Sequence, residues 1–283
     1  MTMTEDPMCD AVVDITVLGG FHVIVDGIVT ATRGWARRRA AALVKILALA
    51  PGHRLHREQA VDLLWPDEPP HRSAPRLHTA AHYARRAIGR QDAVVLRDEG
   101  VLLFPGATIV VDAVRFEELA RVAIRDNDAV AAREALGWYH GELLPGDRYE
   151  DWAADRREHL HLRHLDILRM AGEWRDLAEL DPTDEDAHVA LMRRHLAAGD
   201  ARASVRQYQH LQRVLERDLG TQPGESARRA FLEAGRMCPP EDRSPSRVEA
   251  LLAELADLVS QQNAVLADLA TVGAPGGEIR RSR

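Results

Sequence analysis

Of the 37 basic residues in this 283-residue chain only one, Lys45, is a lysine. A phosphate-binding loop of the Gly-Lys-Ser/Thr kind is therefore absent, and Schiff-base chemistry is not expected. Cysteine is scarce too: Cys9 and Cys238 are the only two. They lie far apart in loop-like sequence, without a CxxC or a paired histidine spacing, which argues against a disulfide framework and against a zinc site. Aromatic residues make up 5%. The longest apolar run, "AAALVKILALA", is interrupted by Lys45 and too short to cross a bilayer. The opening residues, "MTMTEDPMCDAVVD", are acidic where a signal peptide would be basic and then apolar. A soluble cytoplasmic protein, without membrane contact, is the expectation.

The charge that is present is unevenly placed. The net charge is −7, yet residues 33–105 hold 13 Lys+Arg against 7 Asp+Glu, while residues 111–283 hold 24 against 32. A basic segment inside an acidic chain points to a local polyanion contact rather than to a general one.

The pattern along the chain predicts a mainly α fold with small β elements. Residues 15–31 alternate β-branched and polar residues around Gly19-Gly20 and Asp26-Gly27, as a small sheet with a tight hairpin would. Two helical stretches follow, "WARRRAAALVKILALAPG" at 35–52 and "HREQAVDLLWPDEPP" at 56–70. A third, "SAPRLHTAAHYARRAIG" at 73–89, is read as starting at Pro75, and "AVVLRDEGVLLF" at 93–104 reads as a hairpin turning at Asp98-Glu99. From Asp112 onward nearly everything reads as helix. Asp181 is the expected cap before Pro182, and residues 187–215 form a helical pair broken at Gly199-Asp200, similar to a tetratricopeptide hairpin.

Six segments result: a disordered 1–13, a winged helix-turn-helix at 14–106, an all-α tetratricopeptide-like domain at 110–236, a linker at 237–247, a C-terminal helix at 248–272 and a disordered tail at 273–283. In the C-terminal helix Leu251, Leu255, Leu258, Gln262, Val265 and Leu269 fall on heptad positions a and d, so they are candidates for pairing with a second copy. Leu252, Val259 and Leu266 widen the stripe, which leaves packing against the helical domain as the alternative.

At about 100° per residue, Leu77, Ala81, Ala84 and Ile88 of the third helix share an inward sector. Thr79, His82, Tyr83 and Arg86 share the outward one, with Arg76 on the flank. The outward groups can donate to base edges and phosphates, as a helix in a major groove requires. Base contacts are therefore expected from Thr79, His82, Tyr83 and Arg86. Phosphate contacts are expected from Arg37, Arg38, Arg39, Arg76, Arg85 and, in the wing, Arg97.

Residues 15–235 resemble the Streptomyces antibiotic regulatory protein family, which joins an OmpR-type winged helix to a bacterial transcriptional activator domain. The stretches that carry the resemblance are "ITVLGGFHVIVDG", "LLWPDEPPHRSAPRLHTAAHYARRAIG", "VDAVRFEELA", "GELLPG" and the long run ending "DLGTQPGES". The resemblance implies a nucleoid-associated regulator that binds promoter DNA, recruits RNA polymerase and activates a biosynthetic gene cluster such as one for an antibiotic, needing no cofactor. Where the family often carries Arg or Gln this helix has His78 and Thr79, and where it often carries Arg this helix has Tyr83; with the acidic wing tip this implies modest affinity. The competing expectation is a regulator that works through protein contacts of its helical domain and C-terminal helix, with weak DNA binding or none. Enzymatic activity is not expected. His159, His161 and His164 do not share one helix face, and with no HExxH order a metal site is not expected either.

Overall fold

The computed structural model describes residues 11–31, 34–68 and 70–237, with backbone alone for 70–74. The candidate pairing residues Leu251, Leu255, Leu258, Gln262, Val265 and Leu269 lie outside the described residues.

Strands β1 (Val12–Thr16), β2 (His22–Val25) and β3 (Ile28–Val29) form the expected antiparallel meander. Alternation decides its faces: Val13, Ile15, Val23 and Val25 are buried while Val12, Asp14 and His22 face out. A fourth strand, β7 (Thr108–Val111), closes the sheet in the order β3-β2-β1-β7 by pairing parallel to β1, with Val13 opposite Ile109. Three helices and a second sheet are inserted between these partners. They are α1 (Arg38–Leu49), α2 (Arg57–Leu64) and α3 (Pro70–Ile88), with the sheet β4-β6-β5 made by β4 (Arg54–His56), β6 (Gly100–Leu103) and β5 (Val94–Arg97). Helix α1 stops before Pro51, which cannot continue it. The wing β5-β6 turns through two residues, Asp98 and Glu99, between the paired Arg97 and Gly100.

Helix α3 begins at Pro70, so Pro75 lies inside it rather than at its start. The ring removes one i to i−4 bond near the N-terminal end, where fewest bonds depend on it.

The helical part opens with α4 (Asp112–Asp126) and α5 (Ala129–Leu136). The expected helix through Gly146 ends instead at Leu136. Residues 137–153 are irregular with two short turns of 3-10 helix, because Gly137, Gly141, Pro145 and Gly146 withdraw the propensity to continue. Helices α6 (Ala154–Ala171) and α7 (Trp174–Leu180) follow. Then come α8 (Glu185–Ala197), α9 (Ala201–Leu219) and α10 (Glu225–Met237). Asp184, not Asp181, caps α8: its carboxylate accepts from the Ala187 N–H at 2.9 Å, whereas Asp181 accepts from Thr183.

Two compact units divide at Ala187 and His188. Although composition changes at residues 106–110, packing in the first unit is continuous there. One hydrophobic core runs from Val13 to Ala171 and takes in Leu43, Leu47, Leu77, Phe104, Phe116 and Leu160. Asp112 is the joint. It is 6% exposed and its carboxylate accepts from the N–H groups of Val17, Leu18 and Ala113, which ties the end of β1 to the start of α4. Beside it Gly19, at φ +77°, passes so close to the 140–141 backbone that a Cβ would meet the His140 carbonyl at 2.8 Å. In the second unit Val189, Leu211, Leu215 and Ala227 form a small core, with Tyr208 stacked on Phe231 at 4.4 Å.

Candidate nucleic-acid interface

Helix α3 is held by its small and aliphatic residues. Leu77, Ala80, Ala81, Ala84 and Ile88 are buried, and the four that define the inward sector leave the opposite side free. Thr79, His82 and Arg86 are exposed there, with His78 also exposed and Tyr83 half-buried. The His82 ring stands edge-on to Tyr83, 5.5 Å between centroids. Neither Arg85 nor Arg86 forms an ion pair among the described residues.

The other cations are spoken for in different ways. The Arg37 guanidinium lies over the Tyr83 ring at 5.1 Å. Arg76 lies over Trp65 at 5.5 Å and pairs with Glu68. Arg38 and Arg39 both reach Glu150, at 3.4 and 3.2 Å, each taking a different carboxylate oxygen. Arg97 is 3.9 Å from Asp98 at the wing tip, and both side chains are exposed. Arg37, Arg39, Trp65, Arg76, Thr79 and Tyr83 together line a cleft of about 320 Å³ between α1 and α3. The structure thus gathers Thr79, Tyr83, Arg37, Arg39 and Arg76 around one cleft, with His82, Arg85 and Arg86 further along α3. Arg97 stays on the separate wing.

Two participants were missed by sequence reasoning, Glu68 and Glu150. Glu68 is within a turn of α3 and could have been suspected from the run "DEPP". Glu150 meets Arg38 across 112 residues, and no local signal points to it.

The run His159, His161, His164 is dispersed. His159 approaches Glu117 at 3.7 Å, while His164 stacks flat on Tyr139, 3.8 Å between ring centroids. Burial pushes the His164 imidazole down to about 4, since the charged ring loses its water. Among the described residues no three His, Cys, Asp or Glu side chains converge as a metal site would need.

Residues 111–234 match the family model described as bacterial transcriptional activator domain. The chain carries a bacterial transcriptional activator domain. The matched region begins at the last residue of β7, with the winged helix in front of it. In three dimensions it is similar to Mycobacterium tuberculosis EmbR, solved in complex with a low-affinity phosphopeptide. The TM-score is 0.58 at 17% identity, covering 81% of this chain and 66% of that one. The chain thus spans about two thirds of that structure's length, and the likeness concerns the fold. No curated protein matches the chain. Among the described residues no helix is long and apolar enough to cross a membrane.

Proposed function

We propose that the protein is a sequence-specific DNA-binding activator that lays the outer face of α3 in a major groove. Thr79, His82, Tyr83 and Arg86 read base edges, and Arg37, Arg76 and Arg85 hold the flanking phosphates. The observation that carries this reading is the split of α3. Leu77, Ala81, Ala84 and Ile88 are at most 5% exposed, while Thr79, His82 and Arg86 stand in solvent. A helix reads a groove through such a face, and Arg86 is suited to a bidentate contact with guanine. The acidic wing tip, Asp98 and Glu99, repels phosphate, so Arg97 makes a lesser contact and the wing stays out of the minor groove.

On the same reading the activator domain recruits RNA polymerase to a biosynthetic gene cluster, and the heptad residues Leu251 to Leu269 pair two copies. Sedimentation of the chain lacking residues 248–283 tests the pairing: a monomer supports it and an unchanged mass contradicts it. Sequencing the genomic fragments that the protein retains identifies the operator. Discrete sites support groove reading. Absence of any enrichment supports the second reading, a regulator acting through protein contacts, which is favoured by the carboxylates already seated on Arg38, Arg39 and Arg76.

A further inference from the structure

The loop at residues 145–151 belongs to the activator domain and makes two acid contacts with α1, of opposite physical character. Asp147 meets Lys45 at 2.5 Å where both side chains are sheltered, 16% and 10% exposed. The Lys45 ammonium also lies 4.7 Å from the centre of the Phe21 ring. Arg157, 14% exposed, donates to the carbonyls of Leu143 and Asp147 and holds the backbone of the loop from its other side. Three residues further on, Glu150 is 20% exposed, but its partners are in water: Arg38 is 86% exposed and Arg39 43%.

A contact meant to hold two domains would bury its cations as Lys45 is buried. Ion pairs between water-exposed partners contribute little, because water and salt screen them. The loop is already pinned by Asp147 and Arg157, so Glu150 is not needed for that purpose. What Glu150 does is place one carboxylate between two successive arginines at the first turn of a twelve-residue helix. That turn has no side-chain cap and no acid of its own. Two exposed guanidiniums that already share one carboxylate are equally able to take a phosphate in its place.

We infer that Arg38 and Arg39 are a phosphate contact of the DNA interface, and that Glu150 occupies the pair in the free protein as an exchangeable stand-in. DNA then binds there by replacing a carboxylate with a backbone phosphate. Glu150 thereby sets the affinity of the regulator, holding weak sites unoccupied while a strong operator is still able to compete. The inference rests on the DNA-binding reading above. It goes beyond that reading by assigning Glu150 of the activator domain a part in the strength of DNA binding.

The experiment is a salt-titrated binding series on the retained genomic DNA with the full chain, Glu150→Gln, Arg38→Ala/Arg39→Ala, and all three changes together. Melting temperatures run alongside show whether each variant folds. Glu150→Gln is expected to bind about fivefold tighter, the equivalent of one exposed ion pair released. Its log-log salt slope should stay close to that of the native chain, because the exchange leaves the same phosphates contacted in both. Loss of both arginines should matter more in the Glu150→Gln background than in the native chain, because only in the native chain do they give up a carboxylate when they take a phosphate. Equal or weaker binding by a folded Glu150→Gln overturns the inference and leaves the DNA-binding reading standing. Failure of both native chain and variant to bind any DNA overturns both.

Discussion

Lys45 Nζ and Asp147 Oδ2 are 2.5 Å apart across 102 residues of sequence, both sheltered, and they join the first helix of the winged domain to the activator domain. The single lysine of the chain is thus a structural cation. Replacing one partner strands the other charge away from water, so Lys45→Met is expected to lose about 3 kcal/mol in urea unfolding. The double change Lys45→Met/Asp147→Leu should recover most of it. A single change without effect would show that water reaches the pair freely.

On the proposed reading Arg86 is the cation of α3 that meets a base edge. Arg86→Ala should weaken binding to the operator by about 1–3 kcal/mol and relax preference at one position, with a smaller loss on scrambled DNA. Competition gel shifts with both DNAs at matched salt measure the difference. Equal losses on the two would reduce Arg86 to a phosphate contact.

Asp112 serves three backbone donors at once, and burial raises its carboxyl above the ordinary range even so. Asp112→Asn turns an amide donor toward N–H groups that need an acceptor, an expected cost of about 2 kcal/mol. Denaturant unfolding followed by tryptophan fluorescence reads this. Because the joint couples sheet and helical part, the loss should come as one transition.

His164 supplies a dependence on pH. Its folded value, about 4, is below the unfolded value near 6.5, because burial against Tyr139 and the nearby His161 disfavour the charge while Asp176 opposes them. Above pH 6.5 the ring is neutral in both states. As pH falls toward 4 the unfolded chain takes up the proton first, so stability is lost across that window. With discount for partial exposure the loss is about 2 kcal/mol. Asp112 and Glu117, whose carboxyls burial raises, act in the opposite direction. The check is therefore the difference in stability between native chain and His164→Gln at pH 7 and pH 4.5. A difference that does not change with pH would contradict the assignment.

The outer face of α3 was legible because helical period alone separates Leu77, Ala81, Ala84 and Ile88 from Thr79, His82 and Arg86, and burial agrees with that separation. The wing turn at Asp98-Glu99 was legible for a similar reason, since two apolar runs around a short polar turn specify a hairpin. The start of α3 was not: Pro75 looks like a first residue, but the helix begins at Pro70 and the ring falls near its N-terminal end, where few backbone bonds depend on it. Nor was the parallel pairing of β1 with β7, because nothing local in Thr108–Val111 names a partner almost a hundred residues earlier.

The sequence by itself determined the order of elements, the side of each helix that turns inward and the excess of basic over acidic residues at 33–105. These follow from periodicity and composition, which are properties of neighbouring residues. Only the tertiary structure decided which arginines remain available. Among the described residues Arg85 and Arg86 meet no carboxylate, whereas Arg38, Arg39 and Arg76 meet Glu150 and Glu68. Charge acts through distance in space, and the distance between Arg38 and Glu150 is set by β7 returning to β1 and by Lys45 reaching Asp147.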